Sequence, residues 1–206
     1  MIRIPTIPET EILSIRFPQN LALYVTQEQF VALAAVNRDL RLERTAKGEL
    51  IVNPPTGWQT GERNRSIIGQ LDRWYEDNEG LGKAFDSSTG FILPNGAIRS
   101  PDACWVCQQR WNALVPEQKD TFPKICPDFV VALRSALDNL SSLQGKMGKY
   151  MENGAKLGWL LDPQNRCVEI YRSQSPVEVL ENPTELSGEE ILPGFRLSLQ
   201  RIWKDE

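Results

Sequence analysis

Histidine is missing altogether from these 206 residues. That absence excludes every Ser-His and Cys-His triad, the paired-histidine zinc helix and histidine-based proton transfer. Cysteine is sparse. Cys104, Cys107, Cys126 and Cys167 are too few for a disulfide scaffold in a chain of this length. No run approaches the ~20 apolar residues of a membrane span, and the opening MIRIPTIPETEILSI lacks the basic segment, apolar run and cleavage site of a secretory signal. The chain therefore reads as cytoplasmic, with no membrane partner. A surplus of positive charge is lacking too: the net charge of −4 argues against a strong nonspecific nucleic-acid binder and leaves only a local basic cleft open.

What remains for acid-base or metal chemistry is Asp, Glu, Lys, Tyr, Cys and water, which points to hard cations held by oxygen ligands. A hydrophobic content of 41% suits one domain with a substantial core. We expect residues 24–206 to form it, behind an irregular arm, 1–23. Helical spacing of Phe30, Leu33 and Ala34 behind Thr26 predicts a helix to Asn37, and LRLERTAKGELIVNPP predicts two short strands around Lys47-Gly48. A second helix, Glu62 to Asn78, carries Ile67, Ile68, Leu71, Trp74 and Tyr75 on one stripe. Asn64 projects onto the middle of that stripe, so it either needs a buried partner or caps the helix start and reaches water.

GKAFD, GFILP and AIRSPDACWV read as strands, with Asn95-Gly96 signalling a two-residue hairpin turn between the last two. A short polar helix follows around Trp111. ICPDFVVAL is a strand buried on both faces. The next helix turns Leu140, Leu143, Met147, Tyr150 and Met151 inward and stops at Asn153-Gly154, after which KLGWLLD, RCVEIYR and PVEVLE complete the sheet. Mixed strands and helices predict an α/β fold, a mixed central sheet flanked by helices.

Pro101-Asp102 on a strand, the strand Pro127 to Leu133 and Lys146 on the following helix form the informative constellation. Phosphodiester cleavage uses carboxylates to hold Mg²⁺, which polarises the phosphate and acidifies a water, and a lysine to orient that water or steady developing charge. Asp102 shares strand parity with Cys104 and Val106, an unusual place for a solvated acid. Lys146 lies at the border of its helix's apolar stripe, about 90° from its centre, while Lys149 points about 150° away. An aspartate in a turn and a lysine snorkelling along a helix edge would fit the same pattern.

Six ordered blocks carry a resemblance: Asp86-Ser-Ser-Thr-Gly-Phe-Ile-Leu-Pro-Asn-Gly, Ser100-Pro-Asp-Ala-Cys-Trp-Val, Cys126-Pro-Asp-Phe-Val-Val, Gly145-Lys-Met-Gly-Lys-Tyr, Leu157-Gly-Trp-Leu-Leu-Asp-Pro and Leu192-Pro-Gly-Phe. The chain resembles the Uma-two family (DUF820) of restriction endonucleases, within the PD-(D/E)XK superfamily. The resemblance implies a restriction-endonuclease-like fold, Mg²⁺ as cofactor and DNA as partner. It makes Asp102 the metal-binding aspartate, Lys146 the catalytic lysine moved from strand to helix, and Asn64 a first-helix residue near the site. Ala132 stands where the family's strand ends in glutamate, and Arg134-Ser-Ala-Leu-Asp138 loses the Pro and second Ser of the usual Ser-Pro-Ser-Asp. A methyl group offers a metal no ligand.

Asp128 shares Ala132's parity but lies roughly 13 Å away along an extended strand, too far to replace the missing acid. Glu117-Gln-Lys119 has the literal E-x-K spacing after Asp102, yet Pro116 and the absence of alternation place it in a loop or helix start. Cys104 and Cys107 point to opposite strand faces, against zinc. Arg63, Arg65 and Arg73 on the second helix could contact phosphates or simply be solvated. Two function classes follow: an Mg²⁺-dependent DNA endonuclease impaired at Ala132, or a catalytically inactive DNA-binding or regulatory protein on the same scaffold. A scaffold protein that touches no nucleic acid is a third. Cutting both strands favours a two-fold homodimer. Asp102, Ala132 and Lys146 are expected to converge on one pocket.

Overall fold

The structure, a computed structural model, describes residues 22–116 and 121–204. Glu117 and Lys119, and nearly all of the expected N-terminal arm, lie outside the described residues. Helix α1 (Gln27–Val36) starts behind a reciprocal cap: the Thr26 hydroxyl accepts the Gln29 N–H at 3.1 Å and the Gln29 side chain accepts the Thr26 N–H at 2.8 Å. Strands β1 (Arg41–Arg44) and β2 (Leu50–Asn53) form an antiparallel hairpin. Its turn needs a left-handed residue, supplied by Gly48 at φ 96°. Helix α2 (Trp58–Asp77) begins four residues before the expected Glu62, because Gly61 is tolerated within its first turn and Thr60 already turns inward.

Strands β3 (Gly82–Asp86), β4 (Phe91–Ile92), β5 (Ile98–Arg99) and β6 (Ala103–Cys107) follow. Here the structure corrects two expectations. The β4–β5 hairpin closes through three residues, Pro94-Asn95-Gly96, with the Leu93 N–H on the Ala97 carbonyl at 2.8 Å and Gly96 at φ 82°. The expected single strand through Ser100-Pro101-Asp102 breaks in two, so Asp102 stands just before β6 rather than within a strand. Pro101 has no N–H to continue a ladder. At the break the chain leaves a four-stranded sheet, ordered β2-β1-β5-β4, and enters the six-stranded one.

The larger sheet adds β7 (Phe129–Leu133), β8 (Leu157–Asp162), β9 (Cys167–Arg172) and β10 (Glu178–Glu181), in the order β10-β9-β8-β7-β6-β3. Only β7 and β8 pair in parallel, joined by helix α4 (Leu140–Glu152); the short α3 (Gln108–Asn112) sits between β6 and β7. Strand alternation splits the core. Ala103, Trp105, Phe129, Val131 and Leu133 pack with Ile67 and Leu71 of α2, whereas Cys104, Val106, Val130 and Ala132 pack with Met147 and Tyr150 of α4. A small hairpin, β11 (Glu185–Ser187) and β12 (Arg196–Ser198), was not expected, since each three-residue strand buries a single residue, Leu186 or Leu197. The architecture is a mixed α/β fold with a central mixed sheet flanked by helices.

Candidate functional site

The break between β5 and β6 sets the site. Asp102 Oδ2 accepts the Leu133 N–H at 2.8 Å across the start of the β6–β7 pairing, and its Oδ1 lies 3.6 Å from the Arg41 guanidinium. The neighbouring β1 brings Glu43, only 4% exposed. Glu43 Oε1 accepts the Lys146 ammonium at 2.7 Å and the Ser100 N–H at 3.1 Å, and Oε2 accepts the Arg99 guanidinium at 2.8 Å. Lys146 reaches this cluster from α4 and also donates to the Ser100 carbonyl at 3.0 Å. Lys149, one turn on, pairs with Glu152 on the surface instead.

Burial pushes the Asp102 carboxyl above its usual range, and the nearby Glu43 charge adds to that; Lys146, the Leu133 N–H and Arg41 only partly offset it. Burial acts on Glu43 in the same direction, but there Lys146 and Arg99 win and hold the carboxyl below its ordinary value. Glu43 is thus the firmly ionised partner and Asp102 the reluctant one.

Asp102, Glu43, Arg41 and Lys146 line one open cleft, together with Thr60 of α2 and Leu133 of β7. Ala132 is not among its lining residues; it is 4% exposed and packs in the apolar layer under α4. Asn64 does not line the cleft either, and its Oδ1 is buried without a hydrogen-bond partner among the described residues. Glu43 and Arg99 escaped sequence reasoning. In Arg41-Leu-Glu-Arg44 the alternation would face Glu43 to water, and its partners are 56 and 103 residues away. Asp128, just before β7, is fully buried but serves the fold: it accepts the Cys107 N–H at 2.9 Å and pairs with Arg110 and Lys156.

Residues 27–200 match the model of the Uma-two family, described as "Putative restriction endonuclease". The chain belongs to that family. A crystal structure of a "putative nuclease belonging to DUF820" from Anabaena variabilis is similar in fold, with a TM-score of 0.66 at 17% identity, covering 79% of this chain and 89% of that one. No curated protein matches the chain.

A restriction-endonuclease-like scaffold implies a divalent cation, and the residues at this Uma-two cleft do not fit one. Three carboxylates, Glu43, Asp102 and Asp138, stand against three cations, Arg41, Lys146 and, behind Glu43, Arg99, so the cluster is formally neutral before any metal arrives. Both Glu43 oxygens and Asp102 Oδ2 already accept hydrogen bonds. No group of three or more metal-ligating side chains occurs among the described residues. A dication needs several oxygen ligands with charge to spare, and this cluster supplies neither.

Proposed function

We propose that this chain engages DNA on a restriction-endonuclease scaffold without cutting it. The single observation behind this reading is that Ala132, at the position where the resemblance expects the second acid, is a buried methyl, while the buried acid of the cleft, Glu43, is occupied by Lys146 and Arg99. Asp102, Arg41 and Lys146 then act as a charged recognition surface in the cleft. Membership of a restriction-endonuclease family supports DNA as the partner. We place the protein in the cytoplasm and as a two-fold homodimer, the arrangement that suits a duplex; among the described residues no helix is long and apolar enough to cross a membrane.

A second reading, an Mg²⁺-dependent endonuclease with Asp102 as ligand, Lys146 as water-orienting or charge-stabilising residue and Asn64 in support, draws on the upward push on the Asp102 carboxyl, which a nearby cation would relieve. Cleavage assays with Mg²⁺ and Mn²⁺, run beside gel shifts in the same salt, separate the two. The expected result is retardation without cleavage, and no Mg²⁺ binding by the chain. Metal-dependent cutting by the natural chain would overturn the proposal.

A further inference from the structure

Next to the cleft lies a second hollow of about 340 Å³, lined by Arg63, Arg65, Arg201 and Lys204 against one acid, Glu62. Arg63 and Lys204 are engaged with neighbours, as Arg172 is with Glu178 and Glu189 and Arg134 with Asp162. Arg65 and Arg201 make no ion pair with any described residue. Trp58 and Gln59, at the first turn of α2, line both the hollow and the Asp102 cleft. Trp58 is 65% exposed, so an aromatic side chain stands at the junction of the two.

We infer that this junction is a binding site for single-stranded nucleic acid, with one base stacked on Trp58 and the adjoining phosphates on Arg65 and Arg201. The inference rests on the DNA-binding reading above and names the form of DNA. In a duplex both faces of each base are covered by its neighbours, so an exposed indole gains stacking only from an unpaired base. Unpaired guanidinium groups beside an aromatic face suit an anionic backbone carrying π-surfaces, and Gln59 carries the path of that strand on toward Asp102.

The test is fluorescence anisotropy of the full chain with an end-labelled oligothymidylate and with a duplex of equal length, across a salt series. The single strand should bind more tightly. Trp58→Ala should weaken it about tenfold and Trp58→Phe much less, because a phenyl ring still stacks. The Arg65→Gln/Arg201→Gln double variant should reduce the slope of log K against log salt by about 1.4. Circular dichroism melts check that these exposed substitutions leave the fold intact. Equal affinity for duplex, with Trp58→Ala unchanged, overturns the inference and leaves DNA binding standing. Equal competition by polyglutamate also overturns it, since the hollow would then be a general polyanion surface. No binding of either DNA at low salt defeats both proposals.

Discussion

Replacing Glu43 by Gln should cost more stability than replacing Lys146 by Met, although both remove the same 2.7 Å ion pair. Glu43→Gln leaves Lys146 and Arg99 facing each other around a neutral amide, with the reluctant Asp102 beside them. Stranding buried charge in this way costs about 3–5 kcal/mol. Lys146→Met leaves Glu43 with Arg99 at 2.8 Å and the Ser100 N–H at 3.1 Å, so we expect about 1–3 kcal/mol. The double variant restores the cluster's original net charge and should cost at least about 1 kcal/mol less than the two single losses together. Urea unfolding at neutral pH, analysed with a common m-value, measures all four corners. The sign with pH is fixed as well. A carboxyl held below its unfolded value contributes stability above the unfolded pKa, near 4.5, and loses that contribution as pH falls through the folded one, so the Glu43→Gln penalty should shrink in acid. Additive losses, or a larger loss from Lys146→Met, would refute the reasoning and mean that the ammonium serves Asp102 rather than Glu43.

Two further substitutions test the remaining acids. Asp128→Asn removes a fully buried carboxylate that holds the Cys107 N–H and the Arg110 guanidinium, and should cost about 3 kcal/mol, with the half-exposed Lys156 adding little. Burial raises the Asp128 carboxyl, but the Cys107 N–H and both cations outweigh it and lower the pKa, so the difference in Tm should be largest near neutrality and fade as pH falls below about 3.8; a difference constant with pH would sink this account. Asp102→Asn should do the opposite. A carboxyl raised by burial favours the fold below its unfolded pKa and loses that favour as pH rises, so the neutral amide, which can still accept from the Leu133 N–H, should match or exceed the natural chain's Tm at pH 7. A loss above about 1 kcal/mol would contradict this.

Long periodic elements were legible in the sequence because one face of each carries its apolar residues. Helix α4 turns Met147 and Tyr150 inward as their spacing predicts, and β7 is buried at all five positions. The boundary of α2 was missed because its first turn, Trp58 to Gly61, carries no apolar stripe and ends on a glycine that reads as punctuation. Strand β5 was fused to β6 because alternation alone does not reveal that Pro101 carries the chain from one sheet to another. Asp102 and Lys146 could be singled out as polar residues at apolar positions. Glu43 could not: its burial arises from β1 lying beside β5, a contact between segments about fifty residues apart that leaves no local trace.

Ala132 and Glu43 together leave the cleft without charge to spare for a metal. Without an acid at 132, the β7 face beneath α4 is continuous apolar surface, from Val130 to Met147, and needs no charge compensation. The polar cluster at its edge then balances on its own terms, with Glu43, Asp102 and Asp138 against Arg41, Arg99 and Lys146. A divalent metal would add two positive charges to that partly buried, formally neutral cluster, against repulsion from its cations that solvent screens only in part. Under the proposed reading the backbone of DNA is instead met beyond Trp58, by Arg65 and Arg201, which pair with no described residue.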